Sequence, residues 1–158
     1  ERRVYDIAAY VSTSSGFTPK VYFNKKLINV SSFKDYIQLF LTPEQLSETL
    51  IFKNERLSIA ICSNLNEQFS CISFVNGVHT LCDGTHVNYI LNQIIKFVSN
   101  KLNKVQRKSI RSVHIREQLQ IILFAKNENP EIKSQSKEEL TTKPSLFGSE
   151  FIIKESHA

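Results

Sequence analysis

The sequence predicts a two-layer α/β domain in which helices pack on one face of a mixed β-sheet. The run "LQIILFAK", residues 119–126, is apolar on both faces, which is typical of a central strand. Residues 56–64 and 69–78 have the composition of two further strands. Residues 85–104 place apolar side chains at helical spacing along one broad stripe. The 158 residues, 41% of them hydrophobic, are enough for the core of one domain.

The first fifty residues carry the patterns of two helices and a hairpin. "RRVYDIAAYV", residues 2–11, has apolar side chains at helical spacing, and "STSSGFTP" after it has the composition of a loop. Residues 20–30 alternate apolar and polar side chains around the segment "NKK", which predicts a short hairpin. Ser31 or Ser32 is a candidate cap for a helix in "FKDYIQLFL", and "TPEQL" leaves that helix.

The second half begins with the two predicted strands, joined by the polar turn "LNEQ". Asp83, Gly84 and Thr85 supply the turn and the cap before the long helix. A basic connector and a short helix around residues 114–118 lead from this helix to the central strand.

Positive charge is concentrated in one segment. The chain has a net charge of +5, and residues 96–116 contain no Asp or Glu. Such a segment suits a phosphate backbone, although cations at a solvated helix end have the same pattern. The basic residues of this segment are Lys96, Lys101, Lys104, Arg107, Lys108, Arg111 and Arg116.

Several function classes lack a motif. No window approaches the roughly 20 consecutive apolar residues of a membrane span, so we expect a soluble chain. Four scattered glycines do not make a phosphate-binding loop or a dinucleotide fingerprint. Three cysteines without paired spacing favour buried thiols in a reducing compartment. His79, Cys82 and His86 come nearest to a metal cluster, but a closed zinc site needs a fourth ligand, so no metal site is predicted.

The polar stretch "SQSKEEL", residues 134–140, follows the central strand and has almost nothing to bury. A Lys ammonium suits a terminal phosphate, and a neighbouring Gln can orient a water or share a phosphate oxygen. The same composition is also typical of a solvated loop that leads into a helix. The residue types alone leave both interpretations open.

Four stretches resemble, in the same order, the transducer domain of eukaryotic-type type II DNA topoisomerases. They are "RRVYDIAAYV", "KVYFNKKLINVSSFKDYIQLFL", "FSCISFVNGVHTLCDGTHVNYILNQIIKFV" and "NENPEIKSQSKEELTTKPSLFGSEF". The family's "FVN…T…GGTH" pattern is matched by Phe74, Val75, Asn76, Thr80, Gly84, Thr85 and His86, with Asp83 in place of the first glycine. The family's "QTK" loop is matched by Gln135, Ser136 and Lys137, with Ser in place of Thr.

The resemblance implies a domain organisation. Residues 1–158 would form a single transducer domain with the ribosomal-protein-like fold of topoisomerase, gyrase B and MutL transducers. Residues 1–12 would be a helix continuing from an upstream ATP-binding domain of the GHKL class, and residues 151–158 a tail leading to the DNA-cleaving core. The chain has no Met and begins with Glu, so we expect it to be a segment of a longer protein.

The resemblance also implies site residues and partners. Gln135, Ser136 and Lys137 would contact ATP in the upstream domain, and Lys137 would have a catalytic role at the γ-phosphate. Mg would be held outside this chain, by the upstream domain and the cleavage core. Double-stranded DNA would pass between two transducers of a homodimer, in the nucleus or a viral replication compartment, and the isolated chain would be inactive. The candidate DNA-facing residues are Lys101, Lys104, Arg107, Lys108 and Arg111.

Three alternatives stay open at the level of sequence. The chain could be the transducer of another GHKL protein, of the gyrase B or MutL type. The same fold also occurs in a ribosomal small-subunit protein, so a non-enzymatic nucleic-acid-binding module is a second alternative. A pure interaction domain is the third.

Overall fold

The computed structural model describes residues 2–64, 66–80, 84–106, 110–132, 139–148 and 150–153. The helices in these parts of the chain are α1 (Arg2–Ser15), α2 (Phe33–Ile37), α3 (Pro43–Glu48), α4 (Thr85–Gln106) and α5 (Ser112–Glu117). The strands are β1 (Tyr22–Phe23), β2 (Lys26–Leu27), β3 (Leu50–Lys53), β4 (Leu57–Ser63), β5 (Ser70–Val75), β6 (Val78–Thr80) and β7 (Leu119–Ala125). A short 3₁₀ helix, Pro144–Leu146, follows β7.

The main sheet has five strands in the order β3-β4-β7-β5-β6. β7 pairs antiparallel with β4, where Ile121 lies opposite Ile61, and parallel with β5, where Ile122 lies opposite Ile72. The sheet is therefore mixed and β7 is its central strand, as the apolar run "LQIILFAK" predicts. β1 and β2 form a separate hairpin at the predicted position.

Alternate residues of the central strands enter two separate cores, because successive side chains point to opposite faces. On one face, Ile121 and Leu123 pack with Ile90 of α4. On the other face, Ile122 and Phe124 pack with residues of α1 and α2. The buried part of β4 runs from Leu57 to Cys62 without interruption.

The predicted mixed sheet with helices is confirmed, but the helices lie on both faces rather than on one. The cause is visible in β4 and β7, whose side chains are apolar and buried on both sides. A sheet of this kind needs a cover on each face to keep its apolar surface from water. α4 covers one face, and α1 with α2 covers the other.

Aromatic rings hold α1 and α2 against the second face. The ring of Phe124 lies 5.1 Å from Phe33, 5.2 Å from Tyr36 and 5.8 Å from Tyr10, measured between centroids. The Tyr36 hydroxyl donates a hydrogen bond of 2.7 Å to Oδ1 of the buried Asp6 on α1. Burial, reinforced by that carboxylate, raises the pKa of Tyr36 far above its usual range, so the hydroxyl keeps its proton and remains a donor.

The two helices of the second face differ from their predicted bounds. α1 continues through Ser15, although "STSS" is predicted as loop, and the Ser15 hydroxyl donates to the carbonyl oxygen of Val11 at 2.6 Å. α2 ends at Ile37, four residues before the end of "FKDYIQLFL". Ser32 is its cap, accepting from the Asp35 N–H at 3.1 Å, so the prediction of a cap at Ser31 or Ser32 is confirmed.

Two elements between α2 and β4 are not predicted. α3 occupies the segment "PEQLSE", where the Thr42 hydroxyl and the Gln45 side chain form a reciprocal capping box. β3 follows as an edge strand, paired on one side with β4. Both elements are short, so periodicity alone does not reveal them.

The predicted strand at residues 69–78 is two strands. Asn76 and Gly77 form a two-residue turn between β5 and β6, with φ values of +49° and +77°. Asn-Gly is the dipeptide that such turns favour, because both positions need positive φ. A Cβ on Gly77 would also lie 3.1 Å from the ring of Tyr10, so this turn packs closely on α1.

α4 is the longest helix among the described residues, with 22 residues, and it agrees with the predicted helix at 85–104. Its buried side is lined by Val87, Ile90, Leu91 and Ile94. None of the helices in the described ranges has the length and apolar character that crossing a bilayer requires.

Candidate functional site

The two ends of the segment at residues 133–138 are held together by a short paired structure, here called the stem. It consists of Glu131 and Ile132 on the outgoing side and residues 140–142 on the returning side. Ile132 and Leu140 form an antiparallel bridge. The Thr141 N–H donates to the Glu131 carbonyl at 2.9 Å, and the Glu131 N–H donates to the Thr142 hydroxyl at 2.7 Å. The stem therefore fixes where the polar segment leaves and re-enters the fold.

The start of α4 is bonded directly to the returning side of the stem. The Thr85 N–H donates to the Leu140 carbonyl at 2.9 Å. The Thr85 hydroxyl lies 2.7 Å from the Thr142 carbonyl and 3.1 Å from that of Leu140. Leu140 has no exposed side-chain surface and belongs to the core on the α4 face. The stem, α4 and the sheet thus form one packed unit.

A buried polar row lies next to this junction. His86 Nε2 is 3.1 Å from the Thr80 hydroxyl, which is 2.7 Å from the hydroxyl of Ser73. Ser73 is also 3.1 Å from the Thr80 carbonyl and donates to it. All three side chains are buried, so they form one hydrogen-bonded row that is closed to water.

Gly84 fits this site because it has no side chain. A Cβ at this position would lie 2.6 Å from Cε1 of His86 and 3.2 Å from the Leu140 nitrogen. His86 is 2% exposed and Leu140 is fully buried, so neither has room to move aside. The close approach of α4 to both the imidazole and the stem therefore requires glycine here.

Burial lowers the pKa of His86 from 6.5 to about 4. An unfolded chain takes up this proton near pH 6.5, whereas the folded chain takes it up only near pH 4. The stabilisation is therefore complete above pH 6.5 and is lost as the pH falls toward 4. We expect the free energy of unfolding to drop by about 2 kcal/mol between pH 7 and pH 5, measured by urea titration.

The control for this pH dependence is a second histidine. His79 is exposed on β6, with its ring against Phe74. His79→Gln should keep the pH dependence, and His86→Gln should remove most of it. A slope that survives in His86→Gln would assign the effect to another group.

The chain that leaves β7 is fixed by a pair of asparagines before it reaches the stem. The Asn76 side-chain amide donates to the Asn127 carbonyl at 2.8 Å, and the Asn127 N–H donates to Oδ1 of Asn76 at 2.9 Å. Asn76 belongs to the turn after β5 and Asn127 follows β7. Because β5 and β7 are parallel, their carboxyl ends meet at this edge of the sheet. The edge therefore directs the outgoing chain toward the stem.

The predicted ATP-contacting residues Gln135, Ser136 and Lys137 lie outside the described residues. The structure brings together the residues on either side of them, through the stem. Sequence reasoning did not single out Glu131, Leu140 or Thr142. The one available signal was Leu140 itself, an apolar residue that ends a long polar run.

Of the predicted DNA-facing residues, Arg107 and Lys108 also lie outside the described residues. Lys101 and Lys104 are exposed one turn apart near the end of α4, and Arg111 is exposed just before α5. Lys101 Nζ sits 5.0 Å from the ring centroid of Phe97, and Arg111 contacts His114 at 3.0 Å. The three described cations therefore lie along the end of α4 and the start of α5, with their charges facing solvent.

The residues considered for a metal cluster do not meet in the described structure. His79 lies exposed on β6, His86 is buried against Thr80, and Cys82 is outside the described residues. Within the described ranges, no three side chains of His, Cys, Asp or Glu come close enough to hold a metal ion.

Comparison with known proteins gives consistent matches. The family model described as DNA gyrase B matches residues 11–156. DNA topoisomerase 2 of Pisum sativum is 36% identical in an alignment of 162 residues that covers 99% of this chain and 11% of that protein. The chain thus spans about a tenth of the length of this curated relative.

Two solved structures match nearly the whole chain. One is the crystal structure of the ATPase and transducer domains of DNA topoisomerase II from Balamuthia mandrillaris. It matches with a TM-score of 0.85 and 34% identity, over 99% of this chain and 38% of that one. The other is the ATPase region of Saccharomyces cerevisiae topoisomerase II, which matches with a TM-score of 0.85 and 36% identity over the same shares of the two chains.

Proposed function

Because this chain belongs to the DNA gyrase B family and has homology to the ATPase region of type II topoisomerases, we propose that it is the transducer domain of an ATP-dependent type II DNA topoisomerase. In this proposal, residues 1–158 form one domain of a longer parent protein. Residues 1–12 continue from an upstream GHKL ATPase domain, and residues 151–158 lead to the DNA-cleaving core. The match to 38% of a structure of ATPase and transducer domains supports this organisation.

The stem is the single observation that carries the functional proposal. It holds both ends of a polar segment against the sheet and α4, and that segment contains Gln135, Ser136 and Lys137. We assign Lys137 to the γ-phosphate of ATP in the upstream domain, where its ammonium offsets charge during phosphoryl transfer. Gln135 and Ser136 complete the contact with nucleotide.

The same geometry supports a coupling role. Loss of the γ-phosphate removes the partner of Lys137, and the stem lies only three residues further along the chain. A shift of the stem moves α4, because Thr85 bonds its start to Leu140 and Thr142. The transducer then turns as a rigid body relative to the ATPase domain, which is a common way for a nucleotide switch to act at a distance.

ATP is the substrate in this proposal, and Mg belongs to other domains. The upstream domain would bind ATP with its Mg, and the cleavage core would hold the Mg used on DNA. The isolated 158-residue chain should therefore show no turnover.

Double-stranded DNA is the proposed macromolecular partner. The parent protein would act as a homodimer, in the nucleus or in a viral replication compartment, with a duplex passing between its two transducers. Lys101, Lys104 and Arg111 present exposed charge at one end of α4 and the start of α5, which supports a phosphate-facing surface. Arg107 and Lys108 are assigned to the same surface by their place in the sequence.

A strand-passage assay tests the proposal. The parent protein should relax a supercoiled plasmid in the presence of ATP and Mg, and change the linking number of a single topoisomer in even steps. Omitting ATP should abolish sustained relaxation. A parent protein that binds DNA without changing its linking number would instead be a nucleic-acid-binding module.

A further inference from the structure

We infer that the hydroxyl of Thr85 is a positioning group for ATP hydrolysis, acting through the stem on the segment that carries Lys137. The inference rests on the proposed function and adds a residue that lies outside the "QTK" loop. Thr85 is the first residue of α4, and its partners lie 55 and 57 residues further along the chain. Its hydroxyl therefore makes a long-range contact between α4, the longest described helix, and the stem.

The hydroxyl and the backbone N–H of Thr85 have different main partners in the stem. The backbone N–H already bonds the Leu140 carbonyl at 2.9 Å. The hydroxyl has one proton, and its shorter contact, at 2.7 Å, is to the Thr142 carbonyl. Removing the hydroxyl therefore leaves the Leu140 carbonyl bonded but deprives that of Thr142 of its Thr85 partner.

Thr142 is the point where three pieces of chain meet. Its carbonyl accepts from Thr85, and its hydroxyl accepts from the Glu131 N–H at 2.7 Å. Its side chain is 1% exposed, so water does not readily replace either partner. Thr142 thus joins α4 to both sides of the stem, and the Thr85 hydroxyl sets the position of that joint relative to α4.

The returning side is also held to α4 by the Thr85 N–H bond to the Leu140 carbonyl and by the buried Leu140 side chain, and the Thr85 hydroxyl adds the contact at Thr142. Thr141 bonds Glu131 but is itself exposed, and its two contacts hold the two sides of the stem to each other rather than to α4. Lys137 precedes Leu140 by only three residues in the sequence. A displacement of the returning side therefore moves the point at which the segment that carries Lys137 is anchored to the fold.

The test uses Thr85→Val and Thr85→Ser in the parent protein. Val keeps the branched shape of Thr without its hydroxyl, and Ser keeps the hydroxyl without the methyl group. We expect Thr85→Val to lower the kcat of ATP hydrolysis about tenfold, with the KM for ATP changed by less than about twofold, because nucleotide binding lies mainly in the upstream domain. Thr85→Ser should restore most of the wild-type kcat.

A double variant separates a positioning role from a general loss of stability. If Thr85 acts through Lys137, then Thr85→Val should have no further effect in a Lys137→Ala background, measured with radiolabelled ATP. Thermal unfolding of each variant checks that the fold is retained. Equal losses in the two backgrounds, a Thr85→Ser enzyme as slow as Thr85→Val, or a Thr85→Val enzyme with wild-type kcat would each overturn the inference. Full activity of Lys137→Ala alone would instead refute the proposed role of Lys137.

Discussion

Replacement of Lys137 by alanine in the parent protein is expected to lower the kcat of ATP hydrolysis by at least about a hundredfold. A single preorganised donor at a developing oxyanion is worth about 10² to 10³ in kcat, and a cation at a transferring phosphoryl group is worth more in other systems. The KM for ATP should change less, because the adenine and ribose contacts are assigned to the upstream domain. Steady-state hydrolysis with and without DNA gives both constants.

Lys133 provides the matched control for this substitution. It has the same charge and lies in the same segment between the two sides of the stem, four residues before Lys137. Lys133→Ala should leave kcat within about twofold of wild type, while circular dichroism confirms the fold of both variants. Similar losses in the two variants would point to the net charge of the segment, and unchanged hydrolysis in Lys137→Ala would make "SQSKEEL" a solvated loop.

The long elements could be predicted from sequence because their patterns extend over many residues. α4 repeats its apolar positions through several turns, from Val87 to Ile94 and beyond. β7 is apolar on both faces, which predicts its central place in the sheet. In both elements the local pattern and the tertiary packing demand the same structure, so the prediction needs no knowledge of the partners.

The short elements and the second helical layer were harder to predict. α3 has the capping signal Thr42 to Gln45, but its six residues give too few turns for periodicity. β5 and β6 read as one strand in the sequence because the apolar character continues across Asn76 and Gly77, although this dipeptide favours a tight turn. The cover of both sheet faces follows from packing between distant segments, such as Phe124 with Phe33 and Tyr36.

The candidate site also has a part that the sequence predicts and a part that it does not. Gln135, Ser136 and Lys137 were selected by resemblance to a family motif, since their residue types alone also fit a solvated loop. The stem was not predicted, because its partners are far apart in the sequence. Thr85 and Leu140 are 55 residues apart, and a hydroxyl-to-carbonyl bond leaves no periodic trace. Such contacts become visible only once the fold brings α4 and the returning chain together.

Leu140→Ala should lower the free energy of unfolding of the 158-residue chain by about 3 kcal/mol. Leu140 is fully buried and packs in the core on the α4 face, so its truncation removes buried methyl groups and leaves a cavity. The backbone bond from the Thr85 N–H to the Leu140 carbonyl does not involve the lost atoms. The effect should therefore appear as lost packing, measured as a lower urea midpoint with little change in the slope of the transition.

Leu146→Ala is the matched control for this loss. Leu146 lies six residues further along the same returning chain and is 63% exposed, so the same truncation should change the free energy of unfolding by less than about 0.5 kcal/mol. If the two variants are destabilised equally, the cost lies in the chain segment as a whole and not in the core position of Leu140. If Leu140→Ala is as stable as wild type, the stem is not packed into the α4 core, and its proposed coupling to that helix loses its physical basis.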